Sequence, residues 1–297
     1  MIKWNSWQNI SLKYKLYGLV SLPTLLLIYL ALVQISALNK STEALLKASN
    51  ATSFLRGVSS VYSPTSNALS SSSLNNLIPQ IFNRDQSEEI HTSIENLIST
   101  QQKLTTNQSI EEKWDNFEWQ ADLYRQILLT LEKHDLGNVP NDIQNNLSAL
   151  IQLEWMVFWA NEENQLSNIL LQSFQEDNYY DQDISEQLNT LAERQQLFVE
   201  RFVNLNANAD QVKLMTQAFG NSAFIHSQSF RQELASKDSL IQLNKTDIEL
   251  GINALNARLD LLSEVGRTIE FQIVNTIQSS IKQAQVKRLL YISLVTL

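Results

Sequence analysis

Two arginines are the residues of this chain best suited to chemistry with a small ligand. Arg56 sits in Ser53-Phe54-Leu55-Arg56-Gly57-Val58-Ser59, beside a glycine that lets another helix come close, and Arg231 follows Ser227-Gln228-Ser229-Phe230. A guanidinium presents planar, paired donors that match the oxygens of an oxyanion. Two of them converging inside a helical bundle are costly unless an anion neutralises them. Ser59 and Ser227 lie about one helical turn from these arginines and are hydroxyl donors for the same anion. The expectation is a small anion held between helices by Arg56, Arg231, Ser59 and Ser227. The competing reading of each arginine, taken singly, is an ordinary surface residue.

Little else in the chain has the makings of reaction chemistry. His91, His134 and His226 are far apart and read as surface or cap residues rather than metal ligands. No phosphate-binding loop, dinucleotide fingerprint, nucleophile elbow or zinc motif is present in the sequence. The acid pairs Glu88-Glu89, Glu111-Glu112 and Glu162-Glu163 read as solvated helix faces. The chain is therefore expected to be non-enzymatic, with no cofactor and no metal. Trp114, Phe117, Trp119 and Tyr124, and then Trp155, Phe158 and Trp159, recur at spacings that place much of each set on one helix face. Packing between adjacent helices explains them without a ligand.

The elements that must position these residues are helices. Six glycines and four prolines in 297 residues are too few for the regular turns of an all-β protein. Ile248, Ile252, Leu255, Leu259, Leu262, Val265, Ile269, Ile273, Ile277 and Ile281 recur every three or four residues, predicting one long helix with a narrow apolar stripe. Further helices are predicted over Leu38–Val61, 87–108, Ile110–Lys133, 140–174, 184–206 and 209–236. Breaks are expected at Ser63-Pro64-Thr65, at the Gly137-Asn138 and Pro140-Asn141 turn, and at the polar stretch from Asp177 to Asp183. Seven or eight helices with short loops imply an all-α protein of antiparallel bundles.

The ends set the layout. Leu16–Leu38 is an uncharged apolar stretch long enough to span a bilayer, and a second apolar run begins at Leu289. The expected organisation is a cytoplasmic tail over residues 1–15, a transmembrane helix over 16–38, a periplasmic helical-bundle sensor over 39–284 and the start of a second span over 285–297. Lys3, Lys13 and Lys15 precede the first span and no acid occurs before Glu43, which places the N-terminus in the cytoplasm. Trp4 and Trp7 fit an interfacial anchor. Five of the 22 basic residues lie in the two ends, so seventeen remain against all 31 acids in the region between. Such a surface repels nucleic acid and anionic headgroups. With no cysteine, the chain has no disulfide and no thiol chemistry.

Several short motifs together resemble the nitrate- and nitrite-sensing (NIT) domain of bacterial transmembrane receptors. Leu55-Arg56-Gly57-Val58-Ser59 resembles its Glu-Arg-Gly-x-Ser stretch, with Leu55 in place of the acid, and Tyr124-Arg125-Gln126-Ile127-Leu128 resembles a Tyr-Arg-x-x-Ile segment. Ala149-Leu150 with Glu163 resembles the start of the family's second half, where Asn164 stands for an arginine. Arg194-Gln195 through Phe202 resembles a later helix, and Ala257-Arg258-Leu259-Asp260-Leu261-Leu262 resembles the closing signature. The resemblance spans about residues 45–284. It implies paired antiparallel helical bundles in an inner-membrane receptor, a homodimer, a small oxyanion bound by Arg56 and Arg231, and a chemoreceptor or cyclase output. Asn164 points away from nitrate itself. The alternatives are a bimodular helical sensor for small carboxylates and a periplasmic partner-binding or structural ectodomain without a small ligand.

Overall fold

Ten α-helices and no strand make up the described residues of the computed structural model, which are 11–62, 71–104, 109–137 and 139–296. The Lys3, Trp4 and Trp7 features and the Ser63-Pro64-Thr65 break lie outside these residues. The helices are α1 (Leu12–Tyr62), α2 (Ser71–Ile81), α3 (Arg84–Leu104), α4 (Ile110–Glu132), α5 (Asn141–Asp177), α6 (Gln182–Arg201), α7 (Ala209–Phe219), α8 (Ser222–Leu234), α9 (Lys237–Gln242) and α10 (Lys245–Thr296). A π-helical turn, Phe202–Asn206, continues α6.

The all-α class follows the sequence expectation, with more helices than the seven or eight anticipated. The segment expected to run unbroken from Ala209 to Ser236 is two helices. Gly220 caps the end of the first and Asn221 caps the start of the second, its side chain accepting from the Ala223 N–H at 2.9 Å. Short α2 and α9 were not anticipated. Local capping explains many of the other starts. Ser109 and Glu112 form a reciprocal capping box at α4, Asn208 and Gln211 do so at α7, and Asn244 and Asp247 exchange the same bonds before α10. Asn178 closes α5 in the left-handed conformation, which asparagine tolerates.

The chain divides into two units. The first comprises residues 1–46 and 277–297. Among the described residues, α1 is the one helix long and apolar enough to cross a membrane, with a mean hydropathy of 2.1 over an apolar window of 18 residues. Most of its large apolar side chains from Leu16 to Val33 are exposed, as are Val286, Leu289, Leu290 and Leu294 on α10. Its less exposed positions, Ile28, Ala31, Ile35, Leu38, Thr42 and Leu45, keep a three-to-four spacing, the pattern of a helix-pairing seam. Arg288 on α10 donates to Asn39 on α1 at 3.4 Å.

The second unit comprises residues 47–276. Its centre is α5, in which every position from Ala149 to Asn161 is buried, so this helix has neighbours on all sides. The predicted α10 stripe lies inward: Leu255, Leu262, Ile269 and Ile273 are among its most buried residues. The aromatic set is core, as its spacing suggested. Tyr62 stacks on Tyr124 with ring centroids 4.2 Å apart, Phe158 touches both, and Trp155 lies against Phe198. Trp119 departs from the set and is half exposed, because Phe117, Gln120, Ala121 and Tyr124 occupy the inward face of α4.

Two glycines of α10 differ in what surrounds them. A Cβ at Gly251 would stand 2.2 Å from the Phe230 ring, whereas one at Gly266 would meet Arg56 and Leu153 at 3.4 Å. Gly251→Ala is expected to destabilise the protein by about 1–3 kcal/mol through overpacking. Gly266→Ala should change stability by less than about 1 kcal/mol, because the gain in helix propensity offsets a tight contact. Urea unfolding of both variants checks the order; equal losses would contradict the packing of α8 on α10.

Candidate functional site

Arg56 and Ser59 are one turn apart on α1 and face α5, where Glu154 lies buried among Leu153, Trp155 and Met156. Glu154 Oε2 accepts from Ser59 Oγ at 2.5 Å and from Tyr124 Oη of α4 at 3.2 Å. Arg56 Nη1 reaches Glu154 Oε1 at 3.4 Å, and its Nε reaches Glu270 Oε2 of α10 at 3.2 Å. Burial disfavours the Arg56 cation, but Glu154 and Glu270 outweigh it and raise its pKa. Burial pushes the Glu270 carboxyl upward by more than Arg56 pulls it down. Four helices thus meet in one ionic layer.

A second layer is built around Glu163, also on α5. Arg231 Nε of α8 donates to Glu163 Oε1 at 2.7 Å, and the fully buried Arg258 of α10 places Nη1 3.1 Å from Oε2. Gln195 of α6 donates to Glu163 Oε2 at 2.5 Å, and Arg258 Nη2 donates to Asn164 Oδ1 at 3.4 Å. Asn164 in turn donates to Asn256 of α10 at 3.3 Å. Burial alone would raise the Glu163 carboxyl, but Arg258 and Arg231 together hold it below the usual carboxylate range. Arg258 is shifted down, by burial first and by Arg231 next, against the pull of Glu163. Its Nε is buried with no hydrogen-bond partner among the described residues.

The two arginines singled out in the sequence therefore stand in separate layers. Their carboxylate partners Glu154 and Glu163 are nine residues apart on α5, roughly 13 Å along a helix. Each guanidinium is held by carboxylate of the chain itself, and Ser59 donates to the same Glu154. Ser227 is buried, but its hydroxyl donates to the Phe224 carbonyl of its own helix at 2.7 Å. The reading of Glu162-Glu163 as a solvated pair is corrected: Glu163 is fully buried and Glu162 mostly so. Sequence reasoning missed Glu154, Glu163 and Arg258. The available signal was a carboxylate set within the apolar run Leu153-Glu154-Trp155-Met156-Val157-Phe158, which no solvated face would contain.

A cavity of about 370 Å³ opens between α3, α4 and α5 at the end of α1. Its polar lining is mostly carboxamide, with Gln120 donating to Gln101 across it. Among the described residues no group of three or more metal-ligating side chains is gathered. His91 pairs with Glu95, one turn away on an exposed face, at 3.7 Å. No protein-family model, no curated protein and no solved structure matches the chain.

Glu163→Gln leaves Arg258 buried without a counter-charge and is expected to cost about 3–5 kcal/mol. Adding Arg258→Met should recover a large part of that loss, a coupling measurable by a double-mutant cycle in urea. Glu162 gives a pH signature of opposite sign. Burial pushes its carboxyl up to about 7, against the pull of Arg125 and Arg194. Its folded state holds a proton that the unfolded chain releases near pH 4.5, so its contribution falls as pH rises towards 7. Glu163, depressed, instead contributes stability above its unfolded pKa that is lost on acidification below it. Glu162→Gln should flatten the decline between about pH 4.5 and 7 relative to wild type; an unchanged difference across that range would refute the shift.

Proposed function

We propose that this chain is the sensing part of a bacterial inner-membrane receptor, with residues 39–284 on the periplasmic side. The observation that carries this reading is the pair of four-helix ionic layers. One joins α1, α4, α5 and α10, the other joins α5, α6, α8 and α10, and both rest on the same two long helices. This supports paired bundles stacked end to end, sharing α5 and α10, of the kind the NIT-like motifs imply. Lys13 and Lys15 before the apolar stretch of α1 support a cytoplasmic N-terminus. Helices α1 and α10 carry both an apolar end and a partner in the Glu154 layer, so they are the input and output rods. A second copy packed beside the first is the expected assembly.

In this reading the ionic layers hold helix register. A ligand stabilises one of two registers, and the shift is passed along α10 to an output module such as a chemoreceptor signalling helix or a cyclase. The Arg56 and Arg231 guanidiniums serve the layers, and ligand recognition falls to another part of the same region.

The test is a chimera in which α10 continues in frame into the signalling module of a receptor with measurable output. Glu154→Gln removes the charge that holds Arg56 and should change basal output severalfold, whereas Arg84→Ala, at the exposed start of α3, should not. Membrane insertion is checked by labelling Tyr179→Cys with an impermeant maleimide in intact spheroplasts, which the absence of native cysteine permits. Correct insertion with identical output in all three proteins would overturn the sensor reading.

A further inference from the structure

We infer that the cavity between α3, α4 and α5 is a binding site for a small polar organic acid. The inference rests on the sensor reading above and names the ligand class. Six of the lining side chains are carboxamides and none is a carboxylate, although the chain as a whole carries 31 acids against 22 bases. Lys113 is the one ionised side chain in the lining, half-buried, and among the described residues it forms no ion pair. Gln and Asn each offer an N–H donor and a carbonyl acceptor. A lining of one ammonium and several carboxamides matches one carboxylate together with hydroxyl, amino or amide groups. Phe117 and Ile169 supply apolar wall for a short carbon chain.

An independent observation points the same way. The Tyr62 hydroxyl borders this cavity, is buried, and among the described residues closes no hydrogen bond, although the Asn161 carboxamide lies near enough to act on its ionisation. Burial keeps the phenol protonated, so it stands as a donor without an acceptor. Leaving such a group unsatisfied costs stability, and an oxygen of a bound acid would satisfy it. At roughly 30 Å³ for each water-sized group, the volume admits a molecule of about ten non-hydrogen atoms. Occupancy would also be felt beyond the cavity. Tyr62 lies flat on Tyr124 at 4.2 Å, and Tyr124 donates to Glu154 at the centre of the first ionic layer.

The experiment uses the full chain in nanodiscs, with calorimetric titration and thermal unfolding. The probes are gluconate, lactate and glutamine, with glucose as the uncharged counterpart of gluconate and chloride at matched ionic strength. At least one acid should bind saturably at millimolar concentration or below and raise the melting temperature. Tyr62→Phe keeps the ring stack, should leave the unliganded melting temperature unchanged or higher, and should weaken binding about tenfold. Lys113→Gln should weaken it by a similar factor and remove the preference for gluconate over glucose. The proposal is overturned if none of the acids binds, if glucose binds as well as gluconate, or if both variants retain full affinity. Should the acids fail while Glu154→Gln still alters chimera output, the site falls and the sensor reading stands.

Discussion

The constraint on which the rest of this structure depends is the presence of two carboxylates on a helix buried from every side. Apolar packing is non-directional and tolerates small slides of one helix past another. A buried carboxylate does not, because its desolvation is offset only by donors at hydrogen-bond distance. Glu154 draws those donors from α1 and α4, with α10 joined through the same Arg56. Glu163 draws its own from α6, α8 and α10. Few of these helices can change register without breaking an ionic contact.

The two layers are complementary in charge as well as geometry. Around Glu154 a single arginine lies between two carboxylates; around Glu163 two arginines share one. Each layer is left with an excess of one sign, and the raised Glu270 and lowered Arg258 ionisations follow from burial acting on that imbalance. Moving from Glu154 to Glu163 along α5 corresponds to moving back from Glu270 to Arg258 along α10, so the two helices run antiparallel. A shift of α10 would act on both layers together. Imperfectly neutral layers joined by one rigid helix have the ingredients of an element with two discrete arrangements.

The helices were legible because apolar spacing carries most of the information about them. The α10 stripe read correctly from Ile248 onward, and the Asn and Ser caps mark several starts. The split between α7 and α8 was missed although Gly220-Asn221 is the same kind of pair that marked the break at Gly137-Asn138, because the apolar spacing on either side of it runs on almost unbroken. Arg56 and Arg231 stood out as arginines in apolar stretches of sequence, and the structure places both against carboxylates of the chain. The partner of Arg231 was missed for a physical reason: Glu162 and Glu163 are identical in type and adjacent, and only packing decides which one turns inward. The distance between the layers was likewise invisible, since it depends on both arginines meeting one helix, α5, at positions far from either in sequence.

An acidic chain also limits where a free anion can be recognised. An arginine on an apolar helix face, surrounded by 31 carboxylates and tethered among them, meets an internal carboxylate at a local concentration no dilute ligand matches. Arg56 and Arg231 have done so, and an external anion would have to displace Glu154 or Glu163 and leave that carboxylate buried and unpaired. Recognition of an acid is therefore favoured where internal carboxylates are absent. The lining around Lys113 meets that condition, and its donors are neutral amides and a phenol rather than guanidiniums already paired with a buried carboxylate.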